Sequence, residues 1–514
     1  MVDAPDRANE VASGREKQTA GYVFHELTRS ICPDCRRTVD AQILLRDNKV
    51  FMRKRCPEHG AFEALVYGDA EAYVRNSRFN KPGEIPLEFA TEVVEGCPHD
   101  CGLCPDHQQH ACVGIIEVNS GCNMDCPLCF ANAAPGFSLT LDEVNLILDR
   151  LVAAEGQPDV VQFSGGEPTI HPDIIPMLRA AQARDIPLVM LNTNGRRIAY
   201  DDAFLAELAE VRPSIYLQFD GFDDETYRII RGEPGLFPEK LRALDRLAEI
   251  DLHVVLVPAI ERGVNDHEVG RIVQFAIEHP AVRGINFQPA FHAGRHMDHD
   301  PLQRVTIPDV LGWIEEQTGE QFLRSDFVPI PCCFPTCNAV TYAFIDEEDG
   351  KVTPLPRLID IEEHLDYITN RAVPDVSAEL RSALEGLWST AALPGSDRSD
   401  TDLLLSCAVC DLPSLAVGDL SRHFIMIMLQ DFMDPWTFNQ KNVMKCCKEI
   451  LLPDGKQIPF CAYNSVGYRE QAMEQMAAQQ RPRMDARREG QPFTSPEITF
   501  RFPPEGQFQA EPGA

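Results

Sequence analysis

The chain has 514 residues, and its 79 acidic side chains outnumber its 47 basic ones, which gives a formal net charge of −32. A charge of that sign repels the phosphates of DNA and RNA, so we expect no nucleic-acid partner. The length allows a large core and two or three domains. No apolar run reaches the ~18 residues of a membrane-spanning helix, so none is predicted.

The 18 cysteines of the chain stand mostly in short clusters. Residues 1–20 are polar, which predicts a disordered N-terminus without a secretory leader. Clustered cysteines without a leader indicate metal ligands in a reducing compartment rather than a disulfide framework. We therefore expect a cytoplasmic protein.

The first predicted module covers residues 21–90. Cys32 and Cys35 form one knuckle, and Cys56 and His59 form a second after alternating strand patterns. Paired knuckles joined by a hairpin are typical of zinc ribbons and rubredoxin-like sites, so we predict a mononuclear zinc or iron site. Only three cysteines are local, so the fourth ligand would be His59 or a remote cysteine. The alternative is a hairpin without metal.

A second cysteine group lies in the loop 91–112. Four thiolates this close in sequence can ligate a [4Fe-4S] cluster completely, and such a cluster stores or relays electrons. A zinc site is the alternative. The predicted ligands are Cys97, Cys101, Cys104 and Cys112.

A third group, Cys122, Cys126 and Cys129, follows a strand-like apolar run at 113–118. Three thiolates can hold a [4Fe-4S] cluster by three corners and leave the fourth iron open to a ligand. Cysteines at such short spacing also form zinc knuckles. The sequence therefore predicts a catalytic cluster at this loop, with zinc as the alternative.

The next strand pattern, 159–164, ends in Gly165, Gly166, Glu167 and Pro168. Two glycines let the backbone approach a ligand closely, and the carboxylate can accept a hydrogen bond from an ammonium group. The cysteine loop with Phe130 and this motif together resemble the radical S-adenosylmethionine (SAM) enzymes. The resemblance implies that the open iron binds SAM and that the motif contacts its methionine amino group. It also implies reductive cleavage of SAM and hydrogen abstraction from an unactivated carbon.

Strand and helix patterns alternate over residues 113–300, which predicts an α/β fold with a parallel sheet covered by helices. Six units indicate a partial (β/α)6 barrel, the form that is common in radical SAM enzymes. Polar residues follow the strands, where barrels place their chemistry. The resemblance places Asn192 and Asn194 near the ribose or carboxylate of SAM and the residues after Val257 near its adenine. The predicted strands are 113–119, 159–164, 187–192, 214–219, 252–259 and 283–288.

Residues 301–475 carry further cysteines and predict a C-terminal domain with a second auxiliary cluster. The apolar run 424–433 is either a buried helix or strand, or a wall for a long hydrocarbon. Residues 476–514 are rich in Gln, Pro, Arg and Gly and predict a disordered tail. The predicted cluster ligands are Cys332, Cys337, one of Cys446 and Cys447, and Cys461.

The order of these modules resembles the archaeal tetraether lipid synthase group and its bacterial relatives, across about residues 25–470. This resemblance implies the coupling of lipid chains through carbon–carbon bonds, an apolar lipid substrate and peripheral contact with the inner face of a membrane. The family also implies an electron donor of the flavodoxin or ferredoxin type. The alternatives are a methyltransferase acting on a pterin precursor, a peptide-modifying radical SAM enzyme and, more distantly, a non-enzymatic electron carrier.

Overall fold

The computed structural model describes residues 20–296, 299–331, 333–346, 349–357, 424–488 and 499–502. An antiparallel sheet of four strands forms the N-terminal module. A short helix follows it, and the Asp69 side chain caps this helix by accepting a hydrogen bond from the Ala72 N–H at 3.0 Å. The elements are β1 Val23–Ile31, β2 Thr38–Arg46, β3 Lys49–Cys56, β4 Gly60–Tyr67 and α1 Ala70–Asn76.

The larger sheet contains the six predicted barrel strands side by side, and every pair among them is parallel. This confirms the predicted α/β class and the parallel barrel sheet. The strands are buried because each is an apolar run that helices cover. They are β5 Val113–Asn119, β6 Val160–Gly165, β7 Leu188–Thr193, β8 Ser214–Gln218, β9 Val254–Val257 and β11 Val282–Pro289, with the short β10 Ala259–Ile260 paired to β11.

Helices connect these strands. The helix that follows the cysteine loop begins with a capping box, in which the Thr140 and Glu143 side chains each accept from the other's backbone N–H. The helices are α2 Leu141–Glu155, α3 Ile174–Gln182, α4 Arg196–Tyr200, α5 Asp202–Val211, α6 Asp224–Arg231, α7 Leu236–Glu249, α8 Val269–Glu278 and α9 Ile307–Gln317.

The C-terminal segment extends the same sheet at both edges. Strand β14, Phe424–Gln430, pairs in parallel with β11, and β15, Lys448–Leu451, pairs in parallel with β5. All seven residues of β14 are buried, as the buried-strand alternative predicted, and Met428 and Gln430 also line the cavity described below. The antiparallel strands β12 Asn338–Ile345, β13 Val352–Pro354 and β16 Gln457–Pro459 complete the sheet.

Three helices end the described chain: α10 Gln440–Val443, α11 Phe460–Ser465 and α12 Tyr468–Arg488. Helix α12 runs past residue 476, so the chain is helical for part of the segment that we predicted as a disordered tail. Across the described ranges, no helix combines the length and apolarity needed to cross a membrane.

Candidate active site

The strands of the larger sheet surround a cavity of about 280 Å³. Successive side chains of a strand point to opposite faces, so alternate positions of each strand line it. The cysteine loop and the Gly165–Pro168 turn close one side. The strand side chains that follow this alternation and line the cavity include Ile115, Glu117, Gln162, Ser164, Met190, Asn192, Tyr216, Gln218, Val257, Asn286, Gln288, Met428, Gln430, Lys448 and Ile450.

Cys122, Cys126 and Cys129 all line this cavity, and none of the three is in a disulfide. Burial raises the pKa of the Cys122 thiol to about 11. Burial also raises the pKa of Cys126, which the guanidinium of Arg231 partly offsets. Three thiols on one cavity wall beside a cation form a donor set that fits an iron–sulfur cluster with one open iron.

Gly165 and Gly166, at the end of β6, allow two backbone segments to lie very close together. A Cβ at Gly166 would lie 2.1 Å from the Gly121 carbonyl oxygen, and one at Gly165 would lie 2.2 Å from that of Asn119. The Glu167 N–H donates to the Gly121 carbonyl at 2.9 Å. Only residues without a side chain permit this contact. The sequence predicted close approach to a ligand, and both glycines line the cavity; in addition, they join the turn to the segment that carries Cys122.

Glu167 is 2% exposed, and donors of the protein itself surround its carboxylate. Oε1 accepts from the Thr169 hydroxyl at 2.6 Å and the Thr193 hydroxyl at 2.8 Å, and Oε2 accepts from the Asn194 N–H at 2.7 Å. These bonds use most of the acceptor capacity that the resemblance assigned to a ligand amine. Glu167 therefore fixes the ends of β6 and β7 relative to each other.

The two predicted asparagines differ in their surroundings. Asn192 lines the cavity, and its buried Oδ1 has no hydrogen-bond partner among the described residues. Asn194 also lines the cavity, donates through Nδ2 to Asn123 Oδ1 at 2.7 Å, and accepts from the Arg196 N–H through its Oδ1 at 3.0 Å. Asn192 can bind a ligand directly, and Asn194 also holds the cysteine loop.

Charged residues that sequence reasoning missed lie around the same wall. Arg231 forms a bidentate ion pair with the buried Asp220 at 2.6 and 2.7 Å, which points its charge toward Cys126. Lys240 donates to the Asn194 carbonyl, and burial lowers the pKa of this lysine to about 8. Both cations lie on helices α6 and α7, far from any motif, so no sequence signal identified them.

An ion pair lies at the first strand of the barrel. Glu117 of β5 accepts from Arg469 of α12 at 2.6 and 3.0 Å, and both side chains are almost fully buried. The Tyr463 hydroxyl is 3.4 Å from Glu117 Oε2. Glu117 also lines the cavity, so a helix from the C-terminal segment sets the charge of one cavity wall.

The second cysteine group is brought together only in part. Cys97, Cys101 and Cys104 line one small cavity together with His107. Cys112 does not line it, and the Cys112 sulfur lies 3.3 Å from His110 Nε2. Three thiols on one cavity fit an auxiliary cluster. The role of Cys112 as its fourth ligand stays a prediction.

The C-terminal cysteines gather at a third small cavity. Burial raises the pKa of the Cys461 thiol to about 12 and raises that of Cys337 well above its usual range. The donor set of these thiols fits a second auxiliary cluster. Predicted ligand Cys332 lies outside the described residues, as do Cys407 and Cys410. The cysteines that line the cavity are Cys333, Cys337, Cys446, Cys447 and Cys461.

The N-terminal module brings Cys32, Cys35, Cys56 and His59 together, with all four ligand atoms within 4.8 Å of one another. The His59 Nδ1 lies 3.5 Å from the Cys56 sulfur and 3.6 Å from that of Cys32. Burial raises the pKa of the Cys56 thiol. Hydrogen bonds from the side chain and the backbone of His59 outweigh burial and lower this pKa to about 6. Three sulfurs and one nitrogen fit a structural zinc ion.

Replacing Cys56 with serine is expected to release the ion of this module and to destabilise the four-stranded sheet, because a structural zinc site contributes folding free energy directly. Metal analysis and thermal melting of the purified protein measure both effects. The control is the variant His25→Gln. His25 is an exposed residue of β1 that is not a ligand, so this variant should retain the ion. An unchanged zinc content in Cys56→Ser would contradict the assignment.

Two family models match the chain. The Radical SAM superfamily model matches residues 116–276, and the model of the HMPTM N-terminal zinc ribbon domain matches residues 24–68. Both matches coincide with the two modules described above, the barrel with its cysteine loop and the four-stranded sheet with its Cys3His cluster.

Individual proteins resemble the chain to different extents. The 7,8-dihydro-6-hydroxymethylpterin dimethyltransferase of Methanocaldococcus jannaschii is 36% identical over 481 residues, which cover 86% of this chain and 94% of that protein. A GTP 3',8-cyclase of Chlorobaculum tepidum is 32% identical over 213 residues, covering 40% of this chain and 63% of that one. The crystal structure of Streptococcus suis SuiB bound to precursor peptide SuiA has a TM-score of 0.36 at 16% identity, over 42% of this chain and 47% of that chain.

Proposed function

This chain belongs to the radical SAM superfamily and is an enzyme, and from this premise we propose that it transfers methyl groups to a pterin precursor. Its similarity to the M. jannaschii pterin dimethyltransferase extends over 94% of that protein and supports the proposal. The pterin methyltransferase was one of the alternatives from sequence. The lipid-coupling interpretation has no support from the relatives, and a purely electron-carrying role does not fit an enzyme.

The observation that carries the proposal is the set of polar side chains that point into the barrel interior. A pterin is a planar heteroaromatic molecule whose edge carries an amino group, an amide and ring nitrogens. Side-chain amides pair with such an edge because each offers both a donor and an acceptor. The polar residues that line the cavity include Glu117, Gln162, Asn192, Tyr216, Gln218, Asn286, Gln288, Gln430 and Lys448.

Two of these side chains hold buried acceptors without a partner among the described residues, Oδ1 of Asn192 and Oδ1 of Asn286. Buried polar atoms are normally satisfied, so these two are suited to a ligand N–H. Lys448 adds a donor that is held in place by Gln430 Oε1 at 2.6 Å. A hydrocarbon chain would leave the two asparagine oxygens unsatisfied, which costs free energy at each one.

Aromatic rings cover another part of the cavity wall. Neighbouring ring centroids are 4.5 to 6.0 Å apart, which is the range of favourable aromatic contacts. A planar substrate can contact such rings while its edge meets the amides. The four rings are Phe130, Phe291, Phe432 and Phe460.

The roles of the residues follow from these positions. Cys122, Cys126 and Cys129 would hold the cluster, and Arg231 would balance the charge of the thiolate at Cys126. A cluster of this kind with SAM on its open iron supplies the one-electron chemistry that breaks a carbon–sulfur bond of SAM. The amides orient the substrate, and the aromatic rings exclude water from it. An external one-electron donor of the flavodoxin or ferredoxin type belongs to the proposal.

The test is to incubate the anaerobically reduced enzyme with SAM and 7,8-dihydro-6-hydroxymethylpterin and to analyse the products by mass spectrometry. A methylated pterin is expected. Replacing Asn286 with alanine should lose about 1–3 kcal/mol of substrate binding, or roughly 5- to 150-fold in KM, because it removes a buried polar partner.

The exposed amide of Gln274 on α8 provides the matched control, since Gln274→Ala should leave KM for the pterin unchanged. SAM cleavage without any methylated pterin would contradict the proposal. Expression in a host with ordinary lipids tests the lipid interpretation separately, because doubled chain lengths in the hydrolysed lipids would restore it.

A further inference from the structure

A group of metal-ligating side chains lies beside the cavity but does not line it. Glu261 directly follows β10, and His292 lies shortly after β11, the strand that pairs with β10. His296 is one turn further along the same loop. The ligand atoms of these three residues all lie within 4.8 Å of one another. The histidines of the stretch 292–299 are visible in the sequence as possible ligands. Glu261 is distant from them in sequence and comes near them only because β10 pairs with β11.

The geometry of the group matches a metal site. His296 Nε2 and Glu261 Oε2 are 3.3 Å apart. A tetrahedral ion with bonds of about 2.0–2.1 Å separates two of its ligand atoms by about 3.4 Å. The ligand atom of His292 lies within 4.8 Å of both.

Few other groups compete for the ligand atoms. Glu261 Oε2 and His296 Nε2 face each other at 3.3 Å, and neither they nor His292 Nδ1 has a hydrogen-bond partner among the described residues. His292 is only 2% exposed, so water does not satisfy its nitrogen. Buried polar atoms are rarely left without a partner, so this group of ligand atoms is suited to bind an ion.

We propose that Glu261, His292 and His296 bind a divalent transition-metal ion, zinc or ferrous iron, at a site separate from the cysteine sites. Two imidazoles and one carboxylate suit these ions, whereas calcium and magnesium prefer oxygen ligands alone. The fourth position is left for water. This inference does not depend on the identity of the substrate.

The surroundings hold the ligands in place. The Glu261 N–H donates to Asn265 Oδ1 at 2.9 Å, and buried Asn265 in turn donates to the Asp220 and Ala259 carbonyls at 2.8 Å. The His292 ring stacks on that of His299 with centroids 3.5 Å apart.

The proposed ion would brace the cysteine loop of the barrel. A Cβ at Gly294 would lie 2.5 Å from the Cys129 carbonyl oxygen, and the Arg295 N–H donates to the same oxygen at 3.0 Å. The segment between His292 and His296 therefore packs directly on the backbone of Cys129. The side chains of Glu261 and His296 are each 25% exposed, which gives the ion a route from solvent.

The test begins with wild-type enzyme whose clusters are assembled, which is washed with a mild chelator and dialysed against Zn²⁺. We expect one zinc ion in the N-terminal module and one more here. Glu261→Gln and His296→Gln should each hold one zinc ion fewer, and His25→Gln should hold as many as wild type. Iron content and circular dichroism of each variant verify that the barrel has folded. A wild-type enzyme that retains only the N-terminal ion would overturn the proposal.

Zinc X-ray absorption gives a measurement that does not depend on these variants. In the double variant Cys32→Ser and Cys56→Ser, the remaining zinc should show nitrogen and oxygen neighbours at about 2.0–2.1 Å and no sulfur at about 2.3 Å. A sulfur shell there would contradict the site. Dialysis against equal zinc and ferrous iron then shows which of the two ions the site prefers.

Discussion

Replacing Cys126 with alanine is expected to abolish the reductive cleavage of SAM. Cys126 is one of three thiols on the cavity wall, and two thiols cannot hold a cluster that needs three protein ligands. The variant should also lose the iron of this cluster, about four atoms per chain. Quantifying 5′-deoxyadenosine and iron in the anaerobic, reconstituted protein measures both losses.

The control for this experiment is a cysteine from a different group. Cys35→Ser alters the N-terminal module and leaves the cavity wall intact, so that variant should still cleave SAM. If Cys126→Ala formed 5′-deoxyadenosine at the wild-type rate, the assignment of the catalytic cluster to this loop would fail.

Replacing Arg469 with methionine is expected to destabilise the protein by about 3–5 kcal/mol, the usual cost of leaving one member of a buried ion pair uncompensated. Arg469 donates to both carboxylate oxygens of Glu117, and its Nε donates to Asn464 Oδ1 at 2.7 Å. Methionine fills a similar volume, so most of the effect comes from the stranded Glu117 carboxylate. Urea denaturation followed by circular dichroism measures the change.

An exposed ion pair of similar length gives the comparison. Arg179 lies 2.8 Å from Glu210, with side chains that are 53% and 71% exposed. Arg179→Met should therefore cost less than about 1 kcal/mol. Adding Glu117→Gln to Arg469→Met should restore much of the lost stability, because it removes the uncompensated charge. If the double variant were no more stable than Arg469→Met, the ion pair would not be the source of the effect.

The barrel could be predicted from sequence because its signals are local. Each strand is an apolar run that ends in polar residues, and the predicted strand 113–119 agrees with Val113–Asn119 at both ends. The cysteine loop and the glycine turn were equally visible, since their chemistry depends on residues close in sequence. The three thiols of the loop accordingly lie together on the cavity wall.

The remaining features depend on contacts between distant residues. Glu167 was visible as an acceptor, but the sequence could not show that Thr193 and Asn194 use its oxygens. Cys112 was grouped with its neighbours in sequence, yet its sulfur faces His110. Periodicity identifies a strand but not the strand that it pairs with. The positions of β14 beside β11 and of β15 beside β5, at the two edges of the six barrel strands, were therefore not predictable.

Those two edges have a consequence for biosynthesis. A ribosome releases β5 and β11 long before residues 424–451, so the nascent barrel has two open edges until the last fifth of the chain emerges. Open edges of buried strands invite pairing with other chains, and chaperone binding during this interval would protect them. The cysteines of the third cavity are divided between 333–337 and 446–461. Delivery of iron and sulfide to that cavity must therefore wait until Cys461 has been synthesised.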